Sequence, residues 1–277
     1  MTEPAGQAAP GGQLGEAAAA AWIDRWDEQQ QEYMPDREER FTALIDAVAE
    51  AAGRPDPLVL DLGCGPGSLA VRLLDAIPAA RVVAIDADPL LLALGRAALA
   101  SRLAERDGPG IEFADRDLRR PGWSRTLGLD RLADAAVSTT ALHWLAPGAL
   151  AAMYAELATA LRPGGVLLNG DHLAEDEESA PTLTRLQGAL GESAVRRRSS
   201  GQPAETWADW WEAVRADPDL SGLAAARQRR SLESEHHGAP SGRLAVHVGA
   251  LRAAGFAEVG TLWQHGDNRL LCAVLPA

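Results

Sequence analysis

The sequence predicts an α/β protein: a mostly parallel, seven-stranded sheet with helices on both faces, closed at the C-terminal end by an antiparallel hairpin. Three observations carry this. Apolar, β-branched runs alternate with helical patterns from Leu58 to Asp171, the mark of βαβ units. Three glycines within five residues, Gly63, Gly65 and Gly67, join the first strand to its helix. Two further β runs, "FAEVGTLWQ" and "RLLCAVLP", flank the short turn "HGDN", and so short a connection imposes antiparallel pairing.

In chain order, residues 1–20 are Gly-, Ala- and Pro-rich and read as a disordered tail, without the basic and apolar regions of a signal peptide. Trp22 to Ala52 reads as helix, interrupted near "YMPDREERF", where Pro35 suits a first helical turn. Phe41, Leu44, Ile45 and Val48 then make an apolar face. Strands follow at "LVLDLG", "RVVAID", "IEFADRD", "ADAAVSTT" and "GVLLNGD", separated by helical segments; Asp88 caps one of these and Pro89 opens it. From about Leu173 to Arg243 the pattern is helical and polar, with no strand signal. The last helix, "RLAVHVGALRAAG", leads into the hairpin.

Composition narrows the partners. The 277 residues carry a formal net charge of −13, from 39 acidic and 26 basic residues, which argues against nucleic acid and anionic membranes. Every basic residue is arginine, so neither a lysine Schiff base nor a Walker lysine is available. The two cysteines, Cys64 and Cys272, make no disulfide framework, and no Cys/His cluster has metal-ligand spacing, so no metal is expected. No apolar run reaches the roughly 18 residues of a membrane span. The expectation is a soluble cytoplasmic protein, monomeric or homodimeric, with a small-molecule partner.

The glycine turn lacks the spacing and the lysine of a phosphate-binding P-loop. It fits the first two glycines of the dinucleotide fingerprint, but Ser68 stands where the third would be. Asp86 ends the next strand, about 20 residues on, where a carboxylate accepts from ribose hydroxyls. An adenosine-bearing ligand is expected, with a pyrophosphate less well served.

Five stretches, "VLDLGCGPG", "VVAIDADPLLL", "IEFADRDL", "LRPGGVLL" and "LRAAGFAEV", resemble in order the motifs of the class I S-adenosylmethionine (SAM) dependent methyltransferases. The resemblance runs from Val59 to Ala277 and implies their Rossmann-like fold and SAM as cofactor. It implies that Gly63, Gly65 and Gly67 lie beside the methionine end and that Asp61 organises the turn and the cofactor's amino end. Asp86 with Ala87 would hold the ribose, Asp117 with Leu118 the adenine, and Thr139 would border the cofactor. Upstream, "WDEQQQEYMPDREERF" and, later, "ALHWL" are similar to segments of the trans-aconitate methyltransferase group, which implies that Tyr33 and Arg40 close over the cofactor, Arg40 near its carboxylate. The implied organisation is a helical cover at 21–54, the SAM-binding core at 55–172, a helical lid at 173–243 for the acceptor, and the closing elements at 244–277.

In an open α/β sheet, ligands gather at the carboxyl ends of the strands. His143 in "STTALHW" and His172 in "NGDHL" are therefore the candidate catalytic groups near a transferring methyl. Trp207, Trp210 and Trp211 share a helix face behind the N-cap Thr206, suited to fastening the lid or to resting a flat acceptor. His236 with His237, and the arginines of "AVRRRSSG", read first as solvated segments. The expected reaction is methyl transfer to O, N or C of a small acceptor, in secondary metabolism or on a small carboxylic acid. The other reading is SAM-assisted elimination, rearrangement or cyclisation without methyl transfer.

Overall fold

A computed structural model describes residues 14–106, 108–198, 205–230 and 241–277. Two helices lead, α1 (Glu16–Tyr33) and α2 (Arg37–Ala52). The helix starts earlier than expected, because the alanine run before Trp22 is strongly helix-forming and Ala19 is buried. Residues 16–20 are therefore helix and not tail, whereas residues 1–13 lie outside the described residues. Pro35 sits in the turn before α2, not in its first turn; Asp36 occupies the N-cap.

The core then runs β1 (Leu58–Leu62), α3 (Ser68–Ala76), β2 (Arg81–Asp86), α4 (Pro89–Ala98), α5 (Ala100–Ala104), β3 (Ile111–Asp115), β4 (Ala133–Thr139), α6 (Pro147–Ala160) and β5 (Leu161–His172). Helices α7 (Pro181–Arg198), α8 (Trp207–Ala216) and α9 (Ser221–Arg229) form the expected polar insertion. Helix α10 (Leu244–Ala253), β6 (Glu258–His265) and β7 (Asn268–Val274) close the chain. The hairpin turn is tighter than "HGDN" suggested: Gly266 and Asp267 alone separate the strands, with Gly266 at φ 63°.

The strand order is β3-β2-β1-β4-β5-β7-β6. The first five strands run parallel and β7 is antiparallel to both its neighbours. Every residue of β1 is buried, as expected of a strand covered on both faces. Side-chain alternation divides it. Leu58, Leu60 and Leu62 join a core with Tyr154 and Leu157 of α6 and Leu251 of α10. Val59 joins Phe41 and Leu44 of α2 and Leu73 of α3 on the opposite face. A third cluster packs Trp22 and Trp26 of α1 against Leu90 and Leu94 of α4 and against Trp210, Trp211 and Val214 of α8. This last cluster roofs the carboxyl ends of the strands. No described helix is long and apolar enough to cross a membrane.

Candidate active site

The chain reverses direction across the sheet between β1 and β4, and a cavity of about 450 Å³ opens at the carboxyl ends of the strands there. Its floor is the glycine turn. Gly63, Gly65 and Gly67 have φ of 72°, 55° and 94°. A Cβ at Gly63 would collide with Ala141, so only glycine lets β1 and the loop after β4 approach this closely. Gly63 and Cys64 donate their N–H groups to the Ile85 carbonyl at 2.8 and 3.0 Å, pinning the turn to β2. Gly67 itself does not line the cavity; it initiates α3, while Pro66 and Ser68 reach the wall. Cys64 is buried, and burial pushes its thiol far above the usual range, consistent with a packed residue.

Two carboxylates organise the floor. Asp86 accepts from the Gly65 and Asp88 N–H groups, both at 2.8 Å, and faces the cavity. Burial pushes its carboxyl up to about 6, against the opposing effect of those backbone hydrogen bonds. Asp61 lies behind the turn, fully buried and away from the cavity wall. Neither of its oxygens has a hydrogen-bond partner, and burial together with the nearby Asp86 pushes it up to about 8. Such a buried, unpartnered carboxyl favours a cation above the turn.

At the other end of the cavity, Nδ1 of His143 lies 2.8 and 3.0 Å from the two oxygens of Asp171. A carboxylate only accepts, so Nδ1 donates and Nε2 is left to accept a proton. Nε2 has no hydrogen-bond partner among the described residues, and His143 lines the cavity. Burial alone would raise the Asp171 carboxyl. The His143 hydrogen bond and charge, the Arg40 charge and the His172 N–H instead hold it below the usual range.

Residues 59–165 match the model of a methyltransferase domain. The chain is 33% identical over 190 residues to a trans-aconitate 2-methyltransferase of Azoarcus sp. (strain BH72), covering 66% of this chain and 65% of that one. An Escherichia coli (strain K12 / DH10B) trans-aconitate 2-methyltransferase is 30% identical over 129 residues, 47% of this chain and 44% of that one. These matches thus span less than two thirds of either relative's length. Among solved structures, magnesium protoporphyrin IX methyltransferase from Synechocystis PCC 6803 with bound S-adenosylhomocysteine (SAH) superposes with a TM-score of 0.52 at 18% identity. That match covers 93% of this chain and 95% of the other, and shows the shared fold. Over residues 59–165 this chain carries a methyltransferase domain, and its sheet has the Rossmann-like fold of the class I SAM-dependent methyltransferases.

SAM is the cofactor that this domain and its fold imply, and the residues present fit it. The buried, unpartnered Asp61 carboxyl is a group whose ionised form a ligand cationic over the glycine turn would stabilise, and Asp86 stands at a strand end where a diol can donate to it. Of the residues expected at the cofactor, Tyr33, Gly63, Gly65, Asp86, Ala87, Asp117, Leu118 and Thr139 all line the cavity. Asp117 faces it, whereas its acidic neighbour Asp115 pairs with Arg230 at 2.6 Å. The Asp117 carboxylate is already engaged by Arg119 at 2.8 Å, so it is a shared acceptor and not a free one.

Arg40 departs from expectation. It does not close over the cavity: it is fully buried beneath it, donating to Thr139 Oγ1 at 2.7 Å and Asn268 Oδ1 at 2.5 Å. Helix α2 packs on the sheet, so this position points inward, where Gly170 leaves room for the guanidinium. Burial lowers its proton affinity to about 10, with Asp171 opposing that shift. Arg37, one turn earlier, lines the cavity instead and pairs with Asp27 at 2.9 Å.

The two candidate histidines differ. Both line the cavity, but Asp171 orients the His143 ring, whereas the His172 ring turns to Asp267 at 3.1 Å and is half-exposed. His172 contributes its backbone, donating to Asp171 at 2.9 Å. Asp171 was legible only as part of "NGDHL": a charged residue ending an otherwise uncharged stretch from Gly164 is the one signal that marks it. Thr206 caps α8 with Asp209 in a reciprocal capping box. Trp210 anchors α8 to Trp22 and Trp26 at ring separations of 5.6 and 5.0 Å, while Trp207 and Trp211 line the cavity. The tryptophan face thus fastens α8 to the body through Trp210 and turns Trp207 and Trp211 to the cavity. Arg196 is exposed and pairs with Glu192, as a solvated run would, and His236 and His237 lie outside the described residues. The described residues hold no cluster of three His, Cys, Asp or Glu suited to a metal.

Proposed function

We propose that this methyltransferase moves the SAM methyl group onto an oxygen of a small acceptor bearing a hydroxyl, phenol or enol, with His143 as general base. The observation that carries this is the His143–Asp171 pair, which leaves Nε2 to accept a proton at the cavity. When bound, SAM supplies an electrophilic methyl on sulfur. His143 Nε2 would take the acceptor proton as the oxygen is methylated, with Asp86 and the glycine turn holding the cofactor in place. Asp171 holds the ring in the accepting tautomer and stabilises the imidazolium that forms.

The remaining residues align and exclude water. Asp86 and the glycine turn hold the cofactor, and α1 and α8 cover it, which is what an in-line displacement requires of its enzyme. Beside His143 in the chain, Leu142, Trp144 and Leu145 line the cavity, Met34 is also on its wall, and the Arg37 that lines it is already paired with Asp27. That surface suits a flat, apolar acceptor better than a polycarboxylate. A net charge of −13 disfavours nucleic-acid acceptors. A cytoplasmic role in secondary metabolism accords with such an acceptor.

A second reading, esterification of a carboxylate, is favoured by relatives named trans-aconitate 2-methyltransferase. An ionised carboxylate needs no base, so the two readings separate at His143. Reactions without methyl transfer gain no support from those relatives. The test is incubation of the protein with methyl-labelled SAM and a host small-molecule extract, beside trans-aconitate alone. A labelled ether whose formation requires His143 supports the proposal. A labelled trans-aconitate ester formed equally by His143→Ala overturns it.

A further inference from the structure

A second cavity, of about 610 Å³, opens beyond the adenine end of the first, sharing Ala87, Arg116, Asp117 and Arg119 with it. In a chain of net charge −13, this one is basic: Arg116, Arg119, Arg120, Arg229 and Arg230 line it, against the carboxylates of Asp115 and Asp117. Those two carboxylates neutralise only part of the ring. Arg230 pairs with Asp115 at 2.6 Å and Arg119 with Asp117 at 2.8 Å, while Arg120 reaches Asp117 only at 3.5 Å. The Arg116 guanidinium is held by neutral oxygens, the Thr126 hydroxyl and the Thr126 and Asp115 carbonyls, at 2.7 to 2.9 Å. Arg229 ends α9 exposed and forms no ion pair with a described residue.

An independent observation lies in the wall. Trp123 is 3% exposed and lines this cavity, yet its indole N–H is buried with no acceptor in reach. A buried donor without a partner loses its hydrogen bond to water and gains none in exchange, so such a group calls for an acceptor. Guanidinium groups offer forked donors that match oxyanions.

We infer that this cavity is a binding site for a small oxyanion carrying two or more negative charges, a phosphoryl group or a polycarboxylate, held by the arginines and by the Trp123 N–H. Such a ligand would tie α9 to the loop after β3 that carries Asp117 and Leu118. The inference is independent of the acceptor chosen above.

Inorganic pyrophosphate titrated calorimetrically into the SAH-saturated full chain, with sodium chloride matching ionic strength in the blank, tests it. Binding is expected with a single site, at least tenfold weaker in the double variant Arg120→Gln, Arg229→Gln and several-fold weaker in Trp123→Phe. SAH affinity, read in the same series, is expected to persist in these variants, which reports that they fold. Citrate in a parallel titration separates a phosphoryl from a polycarboxylate preference, and either supports the site. No heat beyond the chloride blank, binding only to SAH-free protein, or wild-type affinity in the double variant overturns it.

Discussion

The Nδ1 atom of His143 sits 2.8 and 3.0 Å from the two oxygens of Asp171, a carboxylate with no solvent exposure. Removing either partner removes an oriented base without touching the glycine turn. His143→Ala is expected to lower kcat by about 10²–10⁴-fold, the usual contribution of a positioned base, with SAH affinity unchanged. Asp171→Asn keeps the shape but loses the fixed tautomer, so it is expected to reduce kcat with little change in KM. Steady-state kinetics beside SAH titration check both.

The Asp86 carboxylate faces the cavity and titrates at about 6, raised chiefly by burial. As the proposed acceptor of the ribose hydroxyls it would bind them in its charged form, so protonation would compete with binding. The SAH affinity is expected to weaken as pH falls below about 6 and to be lost in Asp86→Ala at all pH values. In Asp86→Asn that pH dependence is expected to vanish. Calorimetry between pH 5 and 8 measures each.

Asp61 carries the clearest stability signature. Its folded-state carboxyl is raised to about 8, so the folded protein holds a proton that the unfolded chain releases at much lower pH. Stability therefore falls as pH rises from the ordinary carboxylate range through about 8. Asp61→Asn removes that slope. Without cofactor, its Tm is expected to exceed wild type by a few degrees at pH 8 and to match it near pH 5. Scanning calorimetry at the two pH values decides the matter.

Arg227 joins the inserted helices to the cofactor loop. It pairs with Asp88 at 2.6 Å, both side chains being almost fully buried, and stacks 3.8 Å over the Trp211 ring. Arg227→Met leaves a buried carboxylate without its cation, a loss of about 3–5 kcal/mol in comparable sites. Helices α8 and α9 are then expected to detach more often, so that SAH dissociates faster in stopped-flow measurements.

The candidate site was legible where its chemistry is local. Asp88 caps α4 through the N–H groups of Leu90 and Leu91, at 2.9 and 3.3 Å, and this was readable because Asp-Pro before an apolar run has one structural use. The glycine turn and Asp86 were readable for a related reason: a strand, a turn and a strand end at fixed spacing leave the chain little choice. Arg40 was misplaced because its neighbours in space lie far away in sequence. Its bond to Asn268 spans 228 positions, and no local pattern distinguishes an arginine over a ligand from one beneath it.

By itself, then, the sequence determined the strands, their parallel core, the closing hairpin and the cofactor loop. Periodicity, capping and backbone conformation are set within a few residues of each position. Tertiary structure alone decided that Asp171 orients His143, across 28 positions, and that Arg227 reaches Asp88, across 139. It likewise gathered Arg116 with Arg229 and Arg230 around Trp123 in an otherwise acidic protein. Charged side chains take their roles from what they meet, and packing of distant elements chooses those partners.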